Sequence, residues 1–325
     1  MMDDQVRHDF DRARQKAFRR DLLATINRRP NDLLPFHELR RRLQPESESY
    51  RGLQTVPTAQ IVGSMDRYRD FDRAFLPRHR STRGRWTNVD RAYHSDIRLP
   101  PVQLYKVGDI YFVKDGNHRV SVAREHGVEF IDAEVIEGHV RVPLTPTMST
   151  PELLLQAEYA EFLRRTDLDR LQPDHDIRPT ALGRYDEIWQ DIVLHQAWLS
   201  SIRGAPVNVH DAVDDWYRHN YLPIVDIVRD RGVLEAFPDL TEADIYLWVM
   251  RHRDVLEERD GQDVGPVESA EDYADVMTQP LGVGDRMLEL LGADSLRSPD
   301  AEEESQRRRR PILQRWPRPR RGSGG

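Results

Sequence analysis

The chain has 325 residues, of which 38% are hydrophobic and 32% are charged, and it contains no cysteine. This length predicts two domains with appended segments, and the lack of cysteine excludes disulfides, thiolate metal sites and thiol nucleophiles. The first residues lack the basic-then-apolar order of a signal peptide, and no apolar run is long enough to cross a bilayer. We therefore expect a cytoplasmic protein without a membrane segment.

The net charge of −8 is unevenly distributed along the chain. Residues 307–321 carry eight arginines and no acid. Without these eight positive charges, the net charge of the remaining residues is −16. Affinity for DNA depends mainly on neutralising phosphates with Lys and Arg, so a body this acidic repels nucleic acid on average. Any contact with nucleic acid is expected to be local, through the N-terminal arm or the Arg-rich tail.

Residues 1–50 are predicted to form an N-terminal helical arm. Apolar residues at near-helical spacing predict an amphipathic helix over residues 3–29, and a second short helix is predicted over residues 33–43. Because basic groups outnumber acidic ones here, the arm is interpreted either as a solvated helical segment or as a contact for nucleic acid.

Residues 51–142 are predicted to form a small mixed α/β domain. Residues 53–61 read as a strand, and Pro57 favours an edge position because it has no N–H to donate. Residues 102–105 and 110–114 are predicted as two strands joined by the turn dipeptide Gly108-Asp109. A tight turn, a helix over residues 117–126 and a strand over residues 130–136 follow, with Gly127 as the helix C-cap.

The segment 66–91 inside this domain is rich in arginine. It contains eight arginines and four aspartates, interleaved with Tyr68, Phe71, Phe75 and Trp86. Planar guanidinium groups and aromatic faces together suit a phosphate or a nucleic-acid base. The alternative is an insertion pinned in place by Arg–Asp pairs.

Residues 150–260 are predicted to form an all-α helical domain. Helices are expected at residues 152–165, 183–199, 210–220 and 245–257, the last opened by a capping box at Thr241 to Asp244. Their aromatic residues are spaced as core anchors: Trp189, Trp198, Trp216, Tyr217, Tyr246 and Trp248.

Residues 261–325 form an acidic and then Arg-rich tail, expected to be mostly disordered with one or two short helices near Tyr273 and Leu290. The histidines in the C-terminal half do not fall at metal-ligand spacing, and no metal site made of protein side chains alone is predicted. They are His175, His195, His210, His219 and His252.

The turn at Asp115 to Arg119 is the candidate functional site. A turn that ends a strand and begins a helix leaves backbone N–H groups unpaired, and the helix dipole adds positive charge there, so an anion is favoured. Gly116 permits close approach or positive φ, and Asn117 can cap the helix. His118 can exchange a proton near neutral pH, and the guanidinium of Arg119 can fork onto a phosphate.

Two flanking residues have two interpretations each. Lys114 lies where the strand meets the turn, either as a compact charge for a phosphate or as a solvated strand end. Asp115 can coordinate Mg²⁺ beside phosphates, since hard cations prefer carboxylate oxygens, or it can hold the turn by bonding its own backbone.

The run from Tyr111 to Ala123, centred on Asp115-Gly116-Asn117-His118-Arg119, resembles the DGHHR-type box of ParB/sulfiredoxin-like domains. The resemblance covers residues 53–142. In that superfamily the equivalent turn binds nucleotide phosphates. The resemblance therefore implies CTP or ATP here, alone or with Mg²⁺, contacted by Gly116, Asn117, His118 and Arg119. Sulfiredoxin chemistry itself is excluded, because Asn117 stands where that enzyme has its reactive cysteine. The segment from Phe237 to Trp248 is similar to an uncharacterised helical domain of actinobacterial proteins.

Three functions are compatible with these features. The first is a nucleotide-binding regulatory module, including the case of a DNA-associated transcriptional regulator, in which bound nucleotide biases a conformational or oligomeric state. The second is a phosphotransferase resembling the free-serine kinases of this superfamily, with Arg119 and His118 holding the transferred phosphate. The third is a non-catalytic scaffold whose helical domain meets a protein partner.

Overall fold

A computed structural model describes residues 1–26, 31, 33–261 and 264–277. The chain divides into two compact units, Met1–Glu161 and Phe162–Gly325. The first is a mixed α/β unit, and the second contains helices and no strand among its described residues, which confirms the predicted fold class of an α+β protein. The Arg-rich tail and the helix predicted near Leu290 lie outside the described residues.

The first unit alternates strands and helices along the chain. Its elements are α1 (Met2–Ile26), β1 (Leu34–Pro35), α2 (Phe36–Leu43), β2 (Glu48–Pro57), β3 (Ile61–Ser64), α3 (Arg83–His94), β4 (Val102–Val107), β5 (Ile110–Asp115), α4 (Asn117–Glu125), β6 (Phe130–Gly138) and α5 (Thr150–Thr166), whose last residues belong to the second unit.

The described strands form one mixed sheet in the order β1-β3-β5-β4-β6-β2. β5 lies inside the sheet and its first four residues are buried, whereas β2 lies at an edge, as Pro57 predicts. β4 and β5 form the predicted hairpin, with Gly108 in the left-handed region. β3 runs parallel to β5 with Ser64 beside Val113, so the chain leaves both strands at the same edge of the sheet.

The N-terminal helix α1 contributes to the core of the first unit. Phe10 and Trp86 are fully buried, with ring centroids 5.6 Å apart, and Trp86 Nε1 donates a hydrogen bond to Ser121 Oγ on α4 at 2.9 Å. Ion pairs also join α1 to segment 66–91, including Asp21 with Arg78 at 2.6 Å. The described residues of the predicted arm, 1–50, therefore lie within the same unit as the sheet.

The second unit consists of packed helices over its described residues. After α5 come α6 (Leu168–Leu171), α7 (Arg184–Arg203), α8 (Val209–Trp216), α9 (Leu222–Asp230), α10 (Glu242–Asp260) and α11 (Pro266–Met277). A π-helical turn over Tyr217–Tyr221 connects α8 to α9.

The predicted capping box and several predicted aromatic anchors are present in this unit. Thr241 accepts a hydrogen bond from the Asp244 amide, and the Asp244 carboxylate accepts one from the Thr241 amide. Trp216 and Tyr246 are fully buried and both donate to the carboxylate of Asp191. Because burial disfavours its charged form, the pKa of Asp191 lies above its ordinary value despite these two donors.

Candidate functional site

The turn between β5 and α4 has a backbone conformation that requires glycine. Gly116 has φ +103°, and a Cβ at this position would lie 2.6 Å from Val102 Cγ1. The helix α4 begins at Asn117, and no side chain among the described residues caps it, so the predicted cap by Asn117 is wrong. The amides of the first helical turn are therefore not satisfied by a capping group, as expected for an anion-binding helix N-terminus.

Two side chains of this first turn have buried polar atoms without a hydrogen-bond partner. Asn117 is 7% exposed, and its Oδ1 has no partner among the described residues. His118 packs edge-on against Phe71, with ring centroids 5.3 Å apart, and neither of its ring nitrogens has a partner there. Buried polar atoms are usually paired, so these atoms mark a place where a ligand can bind.

The charge state of His118 is set by burial and by two arginines. The pKa of its imidazole is lowered to about 4, first by burial and then by the positive charges of Arg67 and Arg85, whereas the negative charge of Asp70 raises it. The ring is therefore neutral at pH 7. Arg67 follows β3 and His118 follows β5, and the parallel pairing of these strands explains why the charge of Arg67 acts on His118.

Arg119 holds the turn together in this structure. Its guanidinium donates to the backbone carbonyls of Pro100 and Pro101 and to Asp115 Oδ2, so three of its donors bind the protein itself. Asp115 is 68% exposed, and Lys114 is exposed with no ion pair in the described part of the chain. The phosphate contacts predicted for Lys114, Asp115 and Arg119 stay predictions.

The arginines of segment 66–91 fall into two groups apart from Arg73, which donates hydrogen bonds to Thr150 Oγ1 and to the carbonyl of Met148. Several are tied to carboxylates, as the pinned-insertion interpretation predicts: Arg67 to Asp70, Arg78 to Asp21, Arg83 to Asp11 and Arg91 to Asp3. Arg69, Arg80 and Arg85 are exposed and make no ion pair within the described ranges, although Arg69 lies over the ring of Tyr68. The segment thus combines structural ion pairs with free positive charge near His118.

The aromatic residues of the same segment do not form a stacking surface for bases. Phe71, Phe75 and Trp86 are completely buried, and only Tyr68 is partly exposed. The expectation of interleaved stacking faces is therefore wrong for these three residues. Their apolar rings are core anchors that hold the surrounding arginines in place.

A second cluster of polar side chains lies in the first unit and is not predicted by the sequence pattern. Asp9 on α1, Asp90 and His94 on α3, and His126 after α4 come together with their ligand-type atoms all within 4.8 Å of one another. The i, i+4 spacing of Asp90 and His94 is the signal that could have indicated it. That signal is readable only once α3 is known to be a helix.

No known protein family matches the chain. No curated protein matches it either. Among solved structures, a Pnob8-like ParB-N domain is similar over 82% of this chain and 99% of its own, with 10% sequence identity and a TM-score of 0.19. The function of the turn is therefore inferred from its own residues. Among the described helices, none is long and apolar enough to span a bilayer.

Proposed function

We propose that the turn from Asp115 to Arg119 binds the phosphate groups of a nucleotide, CTP or ATP, in a regulatory module. The observation that carries this proposal is the His118 imidazole: its two nitrogens have no hydrogen-bond partner among the described residues, and the charges of Arg67 and Arg85 lower its pKa. A phosphate oxygen would accept a hydrogen bond from the neutral ring and would lie near both guanidinium groups.

The backbone of the turn supports the same ligand. Gly116 is in the left-handed region and no described side chain caps α4, so the amides of Asn117 and His118 can donate to an anion at the helix N-terminus. Lys114 adds an exposed charge at the end of β5, and Mg²⁺ would bind at the exposed carboxylate of Asp115. In this proposal Arg119 first positions the turn, through its bonds to Pro100 and Pro101.

Calorimetric titration with CTP and ATP, each with and without Mg²⁺, tests the proposal. We expect one of the two nucleotides to bind, and we expect His118→Ala and Arg85→Ala each to weaken binding by about tenfold or more, as for the loss of a charge-assisted contact. Arg80→Ala is the matched control, because Arg80 is an exposed arginine of the same segment whose charge does not contribute to the lowered pKa of His118. It should change the affinity less than about twofold.

The same samples distinguish the regulator from its alternatives. Release of ADP, CDP or phosphate during incubation would assign the turn to a phosphotransferase, and stable nucleotide supports the regulator. If neither nucleotide binds, the regulator and the phosphotransferase are both excluded, and the non-catalytic scaffold is the remaining function. Equal weakening by Arg85→Ala and Arg80→Ala would show that the contact is diffuse charge attraction and that the turn is not the site.

A further inference from the structure

The cluster of Asp9, Asp90, His94 and His126, here called the α1–α3 cluster, joins three elements of the first unit. His126 Nε2 lies 2.6 Å from Asp90 Oδ1, and His94 Nε2 lies 3.1 Å from Asp9 Oδ2 and 3.8 Å from Asp90 Oδ2. Two imidazole nitrogens and two carboxylates thus point at one small volume. Residues separated by up to 117 positions in sequence meet there.

Burial makes this arrangement unusual. Asp9 is 1% exposed and Asp90 is fully buried, so two carboxylates lie side by side away from water. Arg12 pairs with Asp9 at 2.9 Å, but Asp90 has no ion pair with lysine or arginine in the described part of the chain. Its Oδ2 also has no hydrogen-bond partner among the described residues. Buried carboxylates are normally paired with a cation or coordinate a metal, and the ion-pair partners of Asp90 in the described residues are the imidazoles of His94 and His126, which carry a charge only when protonated.

We propose that the α1–α3 cluster is a binding site for a divalent transition-metal ion, with Zn²⁺ the ion that fits it best. Zn²⁺ takes His nitrogen and Asp oxygen in a tetrahedron at about 2.0–2.2 Å, which places neighbouring ligand atoms roughly 3.3–3.6 Å apart. The observed separations of 2.6, 3.1 and 3.8 Å bracket this range, so small side-chain rotations suffice.

The number of ligands indicates a structural metal. All four tetrahedral positions are filled by protein side chains, which leaves no position for water or substrate, unlike the open site of a zinc enzyme. The ligands come from α1, from two positions one turn apart on α3, and from the residue that follows α4. The ion would therefore connect the N-terminal helix to the helices that carry Trp86 and the phosphate-binding turn.

The competing explanation is a pair of imidazolium–carboxylate contacts without any metal. Protonated His94 and His126 would also balance the charges of Asp9 and Asp90. The two explanations differ in a measurable way, because only a metal site loses stability to a chelator at constant pH.

The test uses the full chain, freed of metal by EDTA and dialysis and then titrated with Zn²⁺ against a chromophoric chelator. We expect one tight equivalent of Zn²⁺ per chain and a higher Tm with Zn²⁺ than without it. Asp90→Asn and His94→Ala should each weaken Zn²⁺ binding more than about 100-fold and abolish the Zn²⁺-dependent rise in Tm. His8→Ala, which removes an exposed histidine of α1, is the matched control and should leave both unchanged.

A spectroscopic measurement on the unmodified protein keeps the proposal testable if a variant does not fold. Co²⁺ added to the metal-free protein should give the visible absorption of a four-coordinate ion, and Zn²⁺ should displace it. The proposal is overturned if Zn²⁺ binds no more tightly than to exposed histidines, if Asp90→Asn and His94→Ala bind it as well as the unmodified chain, or if Co²⁺ stays six-coordinate. No nucleotide is present in these measurements, so a failure of the metal proposal does not affect the function proposed for the turn.

Discussion

At the scale of single residues, His118 shows how burial and neighbouring charges together define a binding group. A histidine with an ordinary pKa would be partly protonated near neutrality, whereas burial, Arg67 and Arg85 hold the pKa of His118 down to about 4. The unfolded chain therefore binds a proton between pH 6.5 and 4 that the native chain does not bind. The free energy of unfolding should fall as the pH is lowered through this window.

Phosphate binding should reverse part of this shift. An anion beside the ring stabilises imidazolium, so the pKa of His118 in the complex lies above 4 and nucleotide affinity rises as the pH falls through the pKa of the complex. NMR titration of the His118 ring with and without nucleotide measures the two values, and we expect a difference of at least about one unit, or tenfold in affinity.

His118→Gln is the control for this prediction. Glutamine keeps a hydrogen-bond donor but does not titrate, so any pH dependence that persists in the variant belongs to the phosphate of the nucleotide. Identical pH dependence of affinity in the two proteins between pH 6.5 and 4 would contradict a contact between His118 and the phosphate.

At the scale of elements, the strand-turn-helix is the part of the fold that sequence reasoning predicted best. Its signals are local: alternating apolar residues, the Gly108-Asp109 dipeptide and Gly127. They predict the positions of four elements, β4, β5, α4 and β6, and the structure has all four there. The arrangement of β3 beside β5, through which the charge of Arg67 lowers the pKa of His118, depends on long-range strand pairing and has no local signal.

The helices α3 and α9 are not predicted by the sequence pattern, each for a different reason. α3 buries Trp86, Thr87 and Asp90, so its inward face is largely polar and lacks the apolar periodicity that predicts a helix. α9 begins next to Pro223, which reads as a helix breaker. The π-helical turn before it accommodates the proline, so the chain stays helical from α8 into α9.

The turn itself gives a prediction at this scale. Gly116→Ala should destabilise the first unit by about 2–4 kcal/mol, because the new methyl group meets Val102 and the residue must keep a positive φ. Gly127→Ala is the matched control, since Gly127 also has a positive φ, of +69°, but open space around its Cβ position. It should cost only about 1 kcal/mol.

Urea unfolding followed by tryptophan fluorescence measures both variants, because Trp86 lies in the core of this unit. Equal destabilisation by the two substitutions would mean that backbone conformation alone, and not the close approach to Val102, requires glycine at the turn.

At the scale of the whole molecule, charge is segregated along the chain. The Arg-rich residues 307–321 lie outside the described residues, and the remainder of the chain is acidic. If the tail supplies a contact for nucleic acid, removal of residues 307–325 should abolish salt-sensitive retention on duplex DNA, since the body repels phosphates. Retention of both chains on duplex DNA is measured at several salt concentrations. Unchanged retention of the shortened chain would show that the tail does not supply the contact.

The position of α1 in the core has a consequence for how the protein is made. Phe10 is synthesised 76 residues before Trp86, the ring on which it packs, so the first helix leaves the ribosome long before its partner exists. Contacts of such high sequence separation form late and slow the folding of a domain. During synthesis the apolar side of α1 is exposed, which is the period in which a chaperone would bind it and in which the chain is most prone to aggregate.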